Sequence, residues 1–347
     1  MLDVVFVILT SFLITFLVIP IVIRVVRKNE YLLEKPTDRA SHKVSIPTFG
    51  GIAIFFGILF SMIFWMDLTT YKQLQSILSA LLVVFFVGML DDLIILSPSK
   101  KIAGQLLAII IVIYFGDLRI TSMYGIFSIH VLPYWVSVCL TTFTMIVITN
   151  AYNLIDGLDG LAASVGILAT IIFGMLFWWT SQEELAIVAC ALSGSLVAFL
   201  YFNFHPAKIF MGDTGSLVIG FLLSVFAINL VRTDVVLGDL SFEAKGSALA
   251  IAILIVPLYD SLRVFIIRIL KGQSPMQPDR NHIHHDLSDL GFGHRRTTLY
   301  ICLANLLFIV LVMLLHSLGV NYILLSILLC AISVSQIPRW IKKKRES

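Results

Sequence analysis

About eleven apolar runs, each long enough to cross a lipid bilayer as a helix, occupy most of this chain. Backbone N–H and C=O groups cannot stay unpaired in hydrocarbon, so each run is expected to form an α-helix. Only 13% of the 347 residues are charged, whereas roughly a quarter are charged in soluble domains. The sequence therefore predicts an all-α polytopic membrane protein with a single domain over residues 1–347. The predicted spans lie near 2–26, 46–66, 74–90, 101–116, 131–150, 158–179, 185–202, 214–231, 247–270, 298–316 and 320–338.

The positive charges are divided unevenly between the loops on the two sides of the predicted membrane. One side carries most of the 24 lysines and arginines, and the other carries only Lys72, Arg119, Arg232 and Lys245. Loops rich in these residues stay in the cytoplasm. We therefore expect the N-terminus outside and the C-terminus in the cytoplasm. The polar clusters occupy the cytoplasmic loops near 28–45, 91–101, 150–160, 203–213 and 271–297, which predicts a functional cleft on that face.

Two adjacent aspartates, Asp91 and Asp92, directly follow an apolar run in VGMLDD. Neighbouring carboxylates either raise the pKa of one member or recruit a cation. A solvated helix end is the plainer explanation, but a pair placed flush against an apolar helix favours a functional site. Lys100 and Lys101, a few residues further on, are expected to neutralise part of this charge or to meet a lipid phosphate.

Polar side chains recur at every third position in NAYNLIDGLDGLA, residues 150–162. Asn150, Asn153, Asp156 and Asp159 would share one helix face, because residues three or four apart are neighbours there. A polar seam that holds spans together is the alternative explanation. The two carboxylates on this face favour a functional site.

A loop that contains Pro206 leads to the segment GDTGS, residues 212–216, just before the eighth predicted span. Asp213 could be an ordinary helix N-cap. The flanking glycines leave backbone N–H groups accessible, which suits phosphate. The segment is not a Walker loop, because no Gly-Lys-Ser/Thr follows.

The longest predicted cytoplasmic loop, residues 271–297, is rich in histidine and arginine. Its candidate residues are Arg280, His282, His284 and His285. Zinc is an alternative ligand, although no cysteine is nearby and the spacing matches no common zinc motif. Cationic and hydrogen-bonding contacts to an anionic substrate fit better. The basic segment 34–51 supplies Lys43 and Thr48 as candidates for phosphate or nucleotide contacts.

Carboxylates on three loops imply a divalent cation, Mg²⁺ first and Mn²⁺ as a substitute, because such hard ions take oxygen ligands and share them with substrate phosphates. Basic loops imply phosphorylated substrates, and the location at the membrane surface implies that one of them is a lipid. Phosphoryl transfer to a lipid phosphate or alcohol follows as the reaction class. A secondary transporter is a remote alternative, because transporter sites lie near the midplane, often between inverted repeats.

The motifs VGMLDD, NLIDGLDGLA, FNFHPAKIFMGDTGSL and PDRNHIHH, in this order, resemble the polyprenyl-phosphate N-acetylhexosamine-1-phosphate transferase family. The resemblance runs from about residue 34 to residue 290. It implies an enzyme of the bacterial cytoplasmic membrane, in which undecaprenyl phosphate attacks the β-phosphorus of a UDP-N-acetylhexosamine and UMP leaves. These two substrates and the bilayer are the implied partners. Nucleic acid is not expected, and a homodimer is compatible with the family.

The resemblance also implies a role for each candidate residue. Asp91 matches the carboxylate that deprotonates or orients the lipid phosphate, with Asp92 beside it, so both are predicted to be catalytic. Asp213 matches the principal Mg²⁺ ligand, and Asn153 and Asp156 match positions near the metal. The implied substrate contacts are Asp159, Asn203 and Phe210 in the uracil pocket, Lys43 and Thr48 near the nucleotide, and His282, His284 and His285, with Arg280 in the same loop, over the diphosphate and sugar.

The order His-Ile-His-His resembles the branch of undecaprenyl-phosphate GlcNAc-1-phosphate transferases, which prime O-antigen, common antigen, teichoic acid or capsule synthesis. The peptidoglycan branch, which transfers phospho-MurNAc-pentapeptide, usually carries three consecutive histidines and stays the main alternative. UDP-GlcNAc is therefore the expected donor.

Overall fold

The computed structural model describes residues 2–28, 46–66, 72–237, 240–242, 244–272 and 282–346. The helices of these ranges are α1 (Leu2–Lys28), α2 (Gly50–Trp65), α3 (Lys72–Ile94), α4 (Pro98–Gly116), α5 (Tyr134–Leu154), α6 (Leu161–Trp179), α7 (Glu183–Asn203), α8 (Gly212–Val231), α9 (Gly246–Ile253), α10 (Ile255–Leu270), α11 (Ile283–Asp289), α12 (His294–Leu314) and α13 (Val320–Glu346). A short antiparallel pair, β1 (Val235–Leu237) and β2 (Leu240–Phe242), lies between α8 and α9, with Val235 opposite Phe242.

These helices confirm the predicted all-α polytopic fold. In the described part of the chain, nine helices are long and apolar enough to cross a membrane, and the bent pair of α9 and α10 adds a tenth candidate. α2, with 16 residues, is a shorter apolar helix. Each predicted run thus has a helical counterpart, while the count of eleven crossings and the orientation of the termini remain predictions.

α8 lies at the centre of the bundle. All of its residues from 214 to 230 are buried, and α2, α3 and α5 pack around it. A helix that is apolar on every side needs neighbours on every side, which explains why this run forms the core. α1, α4 and α13 instead expose large apolar side chains, including Leu17, Tyr114 and Leu329, as expected of helices that face lipid.

The run 247–270, predicted as one span, forms two helices with a sharp bend between them, so it remains a single span only as a broken one. α9 and α10 are bent by 76°, with Leu254 between them. Pro257 has no N–H, so the Ile253 carbonyl lacks the donor that the helix would supply four residues later. The side chain of Asn305, in α12, donates to that carbonyl at 3.0 Å instead.

Alternating chain direction brings several helix ends together. α3, α5 and α7 end where α4, α6 and α8 begin, so the connections 95–97, 155–160 and 204–211 share one end of the bundle. The start of α12 lies beside them, because Arg295 contacts the 204–211 connection. This end holds the polar clusters.

Candidate active site

A lysine lies between two carboxylates at this end of the bundle. Lys101 Nζ is 2.6 Å from Asp91 Oδ2 and 2.9 Å from Asp213 Oδ1. Asp91 belongs to the last turn of α3, Lys101 to the first turn of α4 and Asp213 to the first turn of α8. The other oxygen of Asp91 accepts the Leu96 N–H at 2.6 Å. Three helix ends therefore meet at one partly buried ammonium group.

Asp92 holds the N-terminus of α8. Its Oδ1 accepts the Asp213 N–H at 2.8 Å, and its Oδ2 accepts the N–H and the hydroxyl of Thr214 at 2.9 and 2.5 Å. The first N–H groups of a helix have no partner within it, and a carboxylate there also faces the positive end of the helix dipole. Asp92 is thus a cap supplied by a neighbouring helix, and it fixes the backbone of Asp213. Its catalytic role remains a prediction.

The chain enters α8 through a close approach that requires glycine. Gly212 has a φ of +71°, and a Cβ on it would collide with the Thr48 carbonyl and lie 2.7 Å from Asp92 Oδ2. Both the backbone conformation and the lack of space exclude a larger residue here.

Residues 46–51 pair with the segment that precedes Gly212. The Phe210 N–H donates to the Pro47 carbonyl at 2.7 Å, and the Gly50 N–H donates to the Phe210 carbonyl at 2.9 Å. Thr48 and Phe210, both partly buried, therefore lie on adjacent segments next to the start of α8. Their contacts with a nucleotide remain predictions.

Two further motif residues reach towards Asp213. Asn153, in the last turn of α5, donates its amide to Asp213 Oδ1 and to Ser216 Oγ, the latter at 2.7 Å. Asp156 follows in the next connection, where burial and neighbouring carboxylates, Asp213 first, raise its pKa to about 7. A carboxyl group perturbed in this way indicates negative charge that a divalent cation would balance.

Asn150 follows the alternative explanation, a polar seam between spans. Its amide donates to Gln105 Oε1 at 2.8 Å, and the Gln105 amide donates back at 3.3 Å. One sequence motif therefore contains both a seam that joins α4 to α5 and a functional cluster.

Asp159 is buried and has partners on both sides. Its Oδ2 is 2.7 Å from His205 Nδ1 and 3.5 Å from His294 Nδ1, and it accepts the Ala207 N–H at 3.2 Å. Burial alone would raise the pKa of Asp159, but the nearby imidazoles of His294 and His205 outweigh it and hold the pKa well below its usual range. Arg295 donates to the His205 carbonyl at 2.7 Å. This network ties the start of α12 to two connections of the site.

Asn203 joins the same connections. Its Oδ1 accepts the Gly160 N–H at 2.9 Å, and its amide donates to the Ile209 carbonyl at 2.9 Å. The side chain is buried. Asn203 therefore holds the 155–160 and 204–211 connections together next to Phe210. The contacts of Asn203 and Asp159 with the uracil base remain predictions.

α11, which bears the histidines, is anchored to α10 and touches the 155–160 connection. His282 Nδ1 is 2.8 Å from Asp260 Oδ2, and the Ile283 N–H donates to Asp260 Oδ1 at 2.9 Å. The His284 ring packs on Gly157, where a Cβ would lie 2.8 Å from Nε2. Burial and the nearby His285 imidazole lower the pKa of His284 to about 3. A contact from His284 to an anionic substrate would therefore be a hydrogen bond and not an ion pair.

Three carboxylates of this region are candidate ligands for a hard divalent cation, and the metal itself remains a prediction. Asp91, Asp156 and Asp213 offer carboxylates, and Mg²⁺ in proteins takes one or two of these together with substrate phosphates. The position of Lys101 between two of them shows that these carboxylates accept a positive charge. Within the described ranges, two groups of three side chains have ligand atoms that all lie within 4.8 Å of one another, namely Asp159 with His205 and His294, and Asp260 with His282 and His284. The second group keeps the zinc alternative open.

The predicted residues of the motifs VGMLDD, NLIDGLDGLA and FNFHPAKIFMGDTGSL thus lie at one end of the bundle. Lys100 is exposed beside Lys101, whereas Lys43 and Arg280 lie outside the described residues. Asp260 and His294 were missed by sequence reasoning. A lone carboxylate inside an apolar run is a usable signal for Asp260, whereas His294 at the start of a span carries no comparable signal.

Comparison with known proteins agrees with this geometry. The family described as glycosyl transferase family 4 matches residues 74–231, which reach from α3 to the end of α8. The chain is 32% identical over 305 residues to the probable undecaprenyl-phosphate N-acetylglucosaminyl 1-phosphate transferase of Bacillus subtilis (strain 168), which covers 86% of this chain and 81% of the relative. The chain belongs to glycosyl transferase family 4.

Other relatives within glycosyl transferase family 4 are equally similar. The undecaprenyl-phosphate alpha-N-acetylglucosaminyl 1-phosphate transferase of Escherichia coli (strain K12) is 32% identical over 288 residues, 81% of this chain and 76% of the relative. The decaprenyl-phosphate N-acetylglucosaminephosphotransferase of Mycobacterium leprae is 31% identical over 296 residues, 77% of this chain and 73% of the relative. These matches confirm the family resemblance that the four motifs predicted. The residues matched by the glycosyl transferase family 4 model include Asp91, Lys101 and Asp213, and they end before α11.

Proposed function

We propose that this protein transfers N-acetylglucosamine-1-phosphate from UDP-GlcNAc to undecaprenyl phosphate, releases UMP and leaves a lipid-diphosphate sugar in the membrane. The observation that supports it is the cluster of Asp91, Lys101 and Asp213 at one end of a membrane bundle, in a chain whose relatives are named for this transfer. Those names also favour GlcNAc over the phospho-MurNAc-pentapeptide alternative.

In the proposed reaction, an oxygen of the lipid phosphate attacks the β-phosphorus of the UDP-sugar, and the bond from that phosphorus to the UMP oxygen breaks. One phosphoanhydride replaces another, so we expect an equilibrium constant near unity. The lipid phosphate is already a competent nucleophile, so the transfer needs no covalent enzyme intermediate. The protein then acts mainly by positioning and by neutralising charge.

Each part of the site has a role in this scheme. Mg²⁺ held by Asp213 and its neighbours would supply charge stabilisation for the diphosphate. Asp91 orients the lipid phosphate, and Asp92 keeps the start of α8 in place. His284, whose pKa is lowered to about 3 by burial, would donate a hydrogen bond to the diphosphate or sugar.

We place this site at the cytoplasmic face of the bacterial inner membrane. The excess of basic residues in the loops on that side supports the placement. A water-soluble nucleotide substrate made in the cytoplasm would then reach the site directly, while the lipid arrives through the bilayer.

The test is UMP release by the purified protein in detergent with undecaprenyl phosphate and Mg²⁺. UDP-GlcNAc, UDP-GalNAc and UDP-MurNAc-pentapeptide are offered separately. We expect lipid-dependent UMP release with UDP-GlcNAc, loss of release on chelation, and recovery with Mg²⁺ or Mn²⁺. Release with the pentapeptide substrate alone would move the protein to the peptidoglycan branch.

Two aspartate variants sharpen that test. Asp213→Asn should abolish turnover while the protein stays folded in detergent. Asp117→Asn changes an exposed carboxylate at the opposite end of the bundle and should turn over normally. An active Asp213→Asn variant would refute the metal assignment.

A further inference from the structure

The ammonium of Lys101 lies where a cation must lie for the two carboxylates to coexist. It contacts Asp91 Oδ2 and Asp213 Oδ1 at 2.6 and 2.9 Å. The amide of Asn153 donates to the same Asp213 oxygen. The side chain of Lys101 is only 20% exposed, so its charge is directed at the acids and not into solvent.

A divalent cation on Asp213 Oδ1 would compete with this ammonium. Two positive groups that both contact one carboxylate oxygen would lie only a few ångströms apart, and their repulsion is strong in a partly buried site. A metal ion that binds this oxygen would therefore displace Lys101 from it. Its four-carbon stem has enough rotamers to let the ammonium move while the backbone of α4 stays in place.

A displaced ammonium needs a new anion. Lys101 is in the first turn of α4, beside the exposed Lys100, at the bundle end where the lipid phosphate of the proposed reaction would arrive. A phosphate that pairs with the released ammonium stabilises the same arrangement that the metal ion requires. Metal and lipid phosphate would then strengthen each other's binding, because each favours the state in which Lys101 has left Asp213.

We propose that Lys101 is an exchangeable counter-cation, which pairs with Asp91 and Asp213 until metal and lipid phosphate bind together. The proposal rests on the function proposed above, because that function supplies both ligands. The exchange predicts an order of binding, in which the metal ion is held weakly until the lipid acceptor has bound. Lys101 is then a positioning residue whose effect appears in binding and not only in turnover.

The test measures binding in the absence of any UDP-sugar. Free Mn²⁺ is followed by electron paramagnetic resonance during titration of purified protein in detergent. Lys101→Met keeps the length of the side chain and removes the competing charge, so we expect it to bind Mn²⁺ about tenfold more tightly than wild type, within the usual range of coupling between sites. Lys208→Met, which removes an exposed lysine at the same end of the bundle, is the matched control and should leave the Mn²⁺ affinity unchanged.

A second titration examines the coupling. Undecaprenyl phosphate should raise the Mn²⁺ affinity of the wild type and have a much smaller effect on Lys101→Met, while undecaprenol, which lacks the phosphate, should affect neither. If Lys101→Met does not fold, the Mn²⁺ titration is done with Lys101→Arg instead. A guanidinium can pair with both carboxylates more firmly, so this variant should bind Mn²⁺ more weakly than wild type.

The outcomes separate this proposal from the proposed function. Unchanged or weaker Mn²⁺ binding by folded Lys101→Met, or unchanged binding by Lys101→Arg, overturns the exchange even if UMP is released normally. Tighter binding by Lys101→Met together with lipid-dependent affinity supports the exchange, even if none of the three UDP-sugars releases UMP and the proposed function fails.

Discussion

Removing the carboxylate of Asp92 should destabilise the protein, because that side chain caps α8 from outside the helix. Asp92 accepts hydrogen bonds from the N–H groups of Asp213 and Thr214 and from the Thr214 hydroxyl. Loss of an N-cap costs about 0.5–2 kcal/mol, and hydrogen bonds to a charged group contribute about 1.5–3 kcal/mol. These figures describe overlapping contacts, so for Asp92→Ala we expect a loss of about 2–3 kcal/mol.

Thr214→Val makes this prediction sharper. It removes only the hydroxyl donor and should cost about 1 kcal/mol. Because both variants act on the same contact, the double variant should lose less stability than the two single losses combined. The exposed Asp117→Asn variant is the control for a lost carboxylate outside the cap.

The assay is thermal unfolding of the four variants and the wild type in one detergent at fixed protein concentration. A loss of this size should lower the apparent Tm by several degrees, given about 2–4 °C per kcal/mol in chains of 150–250 residues. An Asp92→Ala protein with wild-type Tm and no turnover would refute the capping argument. Asp92 would then act on the substrates directly, as the motif predicted.

Three further outcomes follow from the same geometry. Phe210→Ala should weaken UDP-sugar binding more than lipid binding, because stacking on a base is worth about 1–3 kcal/mol; equal losses for both ligands in calorimetric titrations would contradict the uracil-pocket assignment. Asn305→Ala leaves the buried Ile253 carbonyl without its donor and should cost about 1–3 kcal/mol in unfolding assays. Asn321→Ala removes two hydrogen bonds that are both exposed and should cost less. The pKa of His284 is lowered to about 3 in the folded protein, whereas an unfolded histidine has a pKa of about 6.5. Below that pH the unfolded state binds a proton on His284 that the folded state does not, which favours unfolding. Stability should therefore decline between pH 6.5 and 4 in wild type and less steeply in His284→Asn, with exposed His130→Asn as control; parallel pH profiles would contradict the assignment.

The sequence was sufficient to predict the helices and to predict which carboxylates lie together at one end of the bundle. Apolar runs define helices because hydrocarbon leaves the backbone no alternative, and helices of alternating direction necessarily bring every second connection to one end. That is why the sequence alone places Asp91, Asp156 and Asp213 at the same end of the bundle. The break at Leu254 had a signal in Pro257, which the continuous apolar pattern concealed.

Pairing between side chains was less accessible from the sequence. Lys100 and Lys101 were expected to neutralise part of the charge of Asp91 and Asp92 or to meet a lipid phosphate. Lys101 does contact Asp91, but its second partner is Asp213, and Asp92 accepts from the start of α8 instead. Which side chains pair depends on how each helix end is rotated, by as little as a fraction of a turn. Hydropathy does not determine that rotation. Asp260 lies in α10 and its partner His282 directly precedes α11, and the sequence between them has no periodic pattern, so neither residue indicates the other.

The buried course of α8 has a consequence for what happens after the transfer. From Leu217 to Leu223 its residues are apolar and buried against other helices, so this part of α8 offers no polar surface along which a sugar headgroup could cross the bundle. A sugar joined to its lipid at the polar end would stay in the leaflet where it was made. Movement of the headgroup to the opposite surface would then require a separate flippase, and inhibiting that step would let the lipid-linked sugar accumulate beside the enzyme that formed it.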